Sequence, residues 1–156
     1  MGRCRRSRRR GYGYAALTGR ARARQVFQIG IYVVVVAVVI QFLLAGLGIF
    51  TNGDFLFYHA AINGAIIFFL PLILVGIGWY AGMDRRTLGM TAGIAGLVIV
   101  QSLLLFPYHT DVQGPLRAIS GFHALNALLI FWLALRLMDR VRYPRTASQV
   151  PPVSTS

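Results

Sequence analysis

The sequence predicts an all-α integral membrane protein: a four-helix up-and-down bundle built from two helical hairpins that form a parallel repeat. Three observations lead there. Of the 156 residues, 56% are hydrophobic and only 13% charged, whereas about a quarter of an ordinary soluble domain is charged. The charges are segregated: all 16 basic residues are Arg, all four acids are Asp, and long apolar stretches separate them. Finally, YHAAINGAIIFFL (residues 58–70) and FHALNALLIFWL (residues 122–133) repeat one pattern of aromatic, His, Ala, Asn and apolar run.

Residues 1–25 form an Arg-rich arm, beginning MGRCRRSRRRGYGY, that is expected to be disordered. Such a run suits a nucleic-acid arm, a contact with anionic lipid or a topology signal. Directly before a first span it is sufficiently explained by topology, and no nucleic-acid partner is expected. Ser7-Arg8-Arg9 has a twin-arginine flavour. The apolar segment behind it is too long for an export signal and no small-residue cleavage site closes it, so it reads as an uncleaved anchor. Cys4 is the only cysteine, which leaves no intrachain disulfide and no C-x-x-C-H haem attachment.

Residues 26–138 hold the bundle, with spans expected at about 26–50, 55–82, 88–106 and 116–138. Each reaches the roughly 20 residues that cross a hydrocarbon core. Each must be helical, because backbone polar groups that face lipid have to be paired within their own segment. Pro71 removes one backbone bond from the second span and is expected to kink it. Residues 139–156, with the Pro/Ser/Thr-rich PRTASQVPPVSTS, read as a disordered tail.

Arginine sets the expected orientation. Nine Arg precede the first span, Arg85 and Arg86 lie between the second and third, and Arg136, Arg140, Arg142 and Arg145 close the fourth; only Arg117 falls on the other side. The positive-inside rule puts both termini in the cytoplasm, and the expected location is a bacterial inner (plasma) membrane.

The repeat includes two glutamines. QFLLAGLGIF starts at Gln41 in the first span, and QSLLLF starts at Gln101 in the third. At 1.5 Å per residue, His59, Gln101, His123 and Gln41 lie about 6, 8, 10 and 13 Å from the outer ends of their spans. His59 and Asn63 are spaced i, i+4, while Ser120, His123 and Asn126 follow at steps of three, so each set shares a helix face. One residue fewer separates His123 from Asn126 than His59 from Asn63. Polar groups in spans turn into the bundle, which makes Gln41, His59, Asn63, Gln101, His123 and Asn126 the candidate site residues.

Three readings stay open for this layer. In the first, a b-type haem is held by His59 and His123 as axial ligands, since neutral imidazole is a standard ligand of haem iron. Ala60, Gly64, Gly121, Ala124 and Ala127 leave room for a macrocycle, Asn63 and Asn126 serve as hydrogen-bond partners behind the ligands, and Tyr58, Phe122 and Phe106 pack the outer mouth. In the second, the layer is structural, with Gln, Asn and His bonding across helices at about 0.6 kcal/mol each. The third is an outward-facing quinone, lipid or small-molecule site. His109 and Asp111 are two candidate metal ligands, short of the three or four a zinc site uses.

These residues carry two resemblances. The stretch from QFLLAGLGIF through DFLFYHAA to GFHALNALLIFWLALRL, about residues 26–137, resembles a family of small bacterial four-span membrane proteins known only as a domain of unknown function. More distantly, the layout resembles one four-helix half of haem A synthase, whose histidines at the outer ends of the second and fourth helices ligate a haem; His59 and His123 match those positions. The sequence has no Glu, and each histidine is followed by Ala where the synthase commonly has Arg. The resemblance therefore implies haem binding without synthase chemistry.

Other chemistry finds little support. No acid lies inside a span to relay protons, and neither Ser102 nor Ser120 has an identifiable activating base. No Gly-rich phosphate loop follows a strand. The reading is a small inner-membrane protein that binds one haem b and exchanges electrons with a quinone or a membrane redox partner, with oligomers possible. The alternatives are an accessory or scaffold subunit and the outward-facing small-molecule site.

Overall fold

The computed structural model describes residues 4–110 and 112–143; residues 144–156 of the expected tail, and Asp111, lie outside the described residues. The chain is all-helical, with no strand among the described residues. The first span is α1 (Cys4–Phe50). The second is assembled from α2 (Asp54–Phe57), a π segment (Tyr58–Asn63) and α3 (Gly64–Tyr80). The third is α4 (Arg85–Leu104), followed by the short α5 (Phe106–His109). The fourth consists of a 3₁₀ segment (Gly114–Gly121) and α6 (Phe122–Arg142).

The backbone of the arm expected to be disordered is helical from Cys4 onward and continuous with the first span. Arg and Ala favour helix, and extending an existing helix avoids the unfavourable nucleation step. At the other end of the chain, α6 continues to Arg142.

Turn chemistry places the spans. The Asn52 side chain accepts from the Asp54 N–H at 2.9 Å and starts α2. After α3, Gly82 takes φ +72°. Its N–H bonds the Trp79 carbonyl while the Met83 N–H reaches back to that of Gly78, a Schellman end that favours glycine. Asp84 then caps α4, accepting from the Arg86 and Thr87 N–H groups.

Helices packed by short connections are antiparallel neighbours. The first span packs on the second, the second on the third, the third on the fourth, and the fourth closes on the first. The core of Phe27, Ile31, Val34, Leu74, Ile94 and Leu137 sits toward the Arg-rich end. There Gly78 lets Phe27 and Leu88 approach so closely that a Cβ would meet both at 2.8 Å.

Four helices are long and apolar enough to cross a membrane, and between 11% and 22% of each most apolar window is buried by the protein. The remaining apolar surface is left for lipid to cover. The chain is a multi-pass membrane protein by this measure.

Pro71 lies inside α3, and the helix continues through it. The departure from α geometry in this span comes earlier, at Tyr58–Asn63. That position matters for the site.

Candidate functional site

All six sequence-selected residues meet in two clusters. In the first hairpin, Gln41 and His59 bind each other reciprocally: Gln41 Nε2 donates to the His59 carbonyl at 2.8 Å, and His59 Nδ1 lies 3.0 Å from the Gln41 carbonyl. Asn63 Nδ2 then donates to Gln41 Oε1 at 2.5 Å and to the Ala37 carbonyl at 2.7 Å.

The second hairpin repeats these bonds. Gln101 Nε2 donates to the His123 carbonyl at 3.0 Å, and His123 Nδ1 lies 3.2 Å from the Gln101 carbonyl. Asn126 Nδ2 donates to Gln101 Oε1 at 2.5 Å and to the Leu97 carbonyl at 2.8 Å. Ala37 and Leu97 each stand four residues before their glutamine, one helical turn deeper.

The π segment explains why the extra residue between His59 and Asn63 does no harm. A π turn spreads one more residue over a turn than an α turn does. An i, i+4 pair there shares a face much as an i, i+3 pair does in the regular helix carrying His123 and Asn126. The Gly64 N–H bonds the His59 carbonyl, closing the wider ring.

The histidine tautomer follows from chemistry. A carbonyl oxygen only accepts, so Nδ1 must carry the proton at both His59 and His123. In the neutral ring Nε2 then keeps its lone pair, which is the state in which imidazole binds a metal. The two rings face each other across the bundle with centroids 6.3 Å apart and planes tilted by 47°. A cavity of about 440 Å³ borders both, together with Gln41 and Gln101, within the roughly 300–1,000 Å³ typical of ligand pockets.

Several expectations change in detail. Asn63 and Asn126 are buried but hold the glutamines rather than the imidazole rings; the glutamine backbone carbonyl accepts from the ring N–H. Tyr58, Phe106 and Phe122 are exposed and do not line the cavity, which has Phe68 instead. Ser120, on the histidine face by spacing, has a buried Oγ without a hydrogen-bond partner among the described residues. His109 ends α5 in the connection between the third and fourth spans, away from the pair in sequence.

The residues missed by sequence reasoning were Ala65, Phe68 and Ser102, which line the cavity, and the Ala37 and Leu97 carbonyls. Backbone acceptors carry no side-chain signal. The lining residues become informative only when the two hairpins are put in register.

Among the described residues no three His, Cys, Asp or Glu side chains come together. The pair thus has no third side chain of the kind a protein zinc site requires. Two imidazoles could hold a metal whose other ligands come with it.

No curated protein and no solved structure matches the chain. Residues 41–108, which include Gln41, His59, Asn63 and Gln101 and stop short of His123, are similar to a family of unknown function (DUF6220).

Proposed function

We propose that this multi-pass membrane protein binds one b-type haem between His59 and His123 and passes electrons between a membrane quinone or redox partner and that centre. One observation supports the reading above the others: both imidazoles donate Nδ1–H to a backbone carbonyl and face each other at 6.3 Å. That spacing would let both rings hold one metal centre between them.

The haem would supply reversible one-electron chemistry, with its potential set by axial ligation and surroundings. The chain's own groups do the rest. Gln41 and Gln101 lock ring orientation and tautomer, and their carbonyls make the imidazoles better donors. Asn63 and Asn126 keep the glutamines in place. His59 and His123 together would hold the group, which would suit it to electron transfer rather than to binding an external ligand. The lack of Glu keeps the proposal to haem binding, apart from synthase chemistry.

We further read the hairpins as copies of one unit, because their hydrogen bonds correspond one for one. Arginine placement supports cytoplasmic termini in a bacterial plasma membrane. A second reading has its own support: every Gln and Asn side chain of the layer is hydrogen-bonded, as helix–helix adhesion alone would require.

Visible spectra of the detergent-purified protein from haem-replete cells separate the two. A Soret band with sharp α and β bands on dithionite reduction, lost in His59→Ala and in His123→Ala, is the expected result. A protein that stays colourless after added haem sinks the reading and leaves the structural one.

A further inference from the structure

The two hairpins can be laid over each other residue by residue. Gln41 corresponds to Gln101 and Asn63 to Asn126 through their shared bonds, which pairs Phe42 with Ser102, Phe68 with Phe131 and Ala65 with Leu128. Burial follows the same register: Val34 and Ile94, Ile67 and Ile130, and Leu74 and Leu137 are all buried.

The two gaps related by this register differ. Between the first and fourth spans, Phe42 and Phe131 meet edge to face with centroids 6.0 Å apart. Between the second and third spans, Phe68 has Ser102 in place of a second phenyl ring, and Ala65 stands in place of Leu128. The cavity beside the histidines is lined by these three shortened or unopposed positions. Two shorter side chains thus stand on the cavity side of an otherwise repeated layout.

The opening also suits an apolar visitor. Ser102 Oγ donates to the Val98 carbonyl of its own helix at 3.1 Å, so its polarity is satisfied locally. Ile99 and Leu103, which also line the cavity, are 51% and 65% exposed, on a face that only acyl chains cover in a bilayer. A flat ring whose faces are apolar can lie in that layer with its carboxylates at the headgroup level, and gains little by crossing water first.

We infer that the gap between the second and third spans is a lateral window through which a porphyrin reaches the histidine pair from the acyl-chain layer, and that the Phe42–Phe131 contact shuts its counterpart. This rests on the haem reading of His59 and His123 and adds the route and the residues that control it. Ser102 and Ala65 are positioning residues: they hold space open and need not touch iron.

Hemin titration of the purified protein, followed at the Soret band, tests it. Ser102→Phe, which rebuilds the aromatic pair found on the other side, should weaken binding or slow it by about tenfold, while Ser102→Ala stays within about twofold. If wild-type protein binds no hemin, the haem reading falls and the window falls with it. If wild type binds and Ser102→Phe binds with unchanged affinity and rate, the window alone is overturned.

A second measurement covers misfolding of the Phe variant. Ala65→Leu, which rebuilds the residue found on the other side, should slow hemin uptake by about tenfold while its thermal melt stays that of wild type. Wild-type uptake in Ala65→Leu overturns the window.

Discussion

Gln41 and His59 hold each other by two bonds that run in opposite senses, side-chain amide to backbone carbonyl and imidazole to backbone carbonyl. The arrangement ties the first span to the second at a fixed height. It also decides which ring nitrogen carries the proton, and Gln101 and His123 do the same in the second hairpin.

Gln41→Leu removes the side-chain bonds to both His59 and Asn63, leaving the buried Asn63 amide with the Ala37 carbonyl alone. Interhelical bonds in spans average about 0.6 kcal/mol, so a loss of about 1–2 kcal/mol is expected from a thermal melt in detergent. Asn63→Leu added to Gln41→Leu should cost less than the sum of the two single changes. Additive losses would show that the residues are not coupled.

Deleting Ile62 is a test of the π segment. The shortened sequence reads His-Ala-Ala-Asn, the spacing of His123 to Asn126. We expect a folded protein with α geometry there and a melting temperature within a few degrees of wild type. Deleting Ile67, in regular helix and buried, should abolish folding, because it rotates everything beyond it. Equal damage from both deletions would contradict the π account.

Gly82→Ala puts a Cβ at φ +72°. The left-handed conformation costs a residue with a Cβ about 1–2 kcal/mol, so thermal stability should fall by that order. Gly96→Ala in the middle of α4, where a Cβ meets nothing within 4 Å, should stabilise slightly or leave stability unchanged.

Asp84 predicts a pH dependence. The Thr87 hydroxyl foremost, then the Thr87 N–H and Arg140, hold its carboxyl well below the usual carboxylate range, against a smaller opposing effect of burial. A depressed folded pKa gives stability that is present above the unfolded value of about 3.9 and lost as pH falls through the folded one. Asp84→Ala should cost about 1 kcal/mol at neutral pH through loss of the cap. Because the Arg140 pair is partly exposed, it adds little. Melts of the two proteins should converge as pH drops below about 4; a gap independent of pH would mean the carboxylate charge is irrelevant.

Much of this protein is legible in one dimension. Lipid accepts only apolar segments with internally paired backbones, so uncharged runs between arginines had to become four helices. For the same reason Gln41, His59, Asn63, Gln101, His123 and Asn126 had to turn inward, and matched spacing put them at similar depth. Tertiary structure decided what hydropathy does not encode. Backbone carbonyls, not asparagine side chains, accept from the imidazole N–H groups, because the partner helix brings Gln41 and Gln101 alongside. The extra residue before Asn63 is absorbed by a π turn, because the bonds to Ala37 and Gln41 are retained only if Asn63 keeps its face. And the cavity lies on one side, because Phe42 finds Phe131 across its gap while Phe68 faces Ser102, a difference in packing that becomes visible only when four helices are in contact.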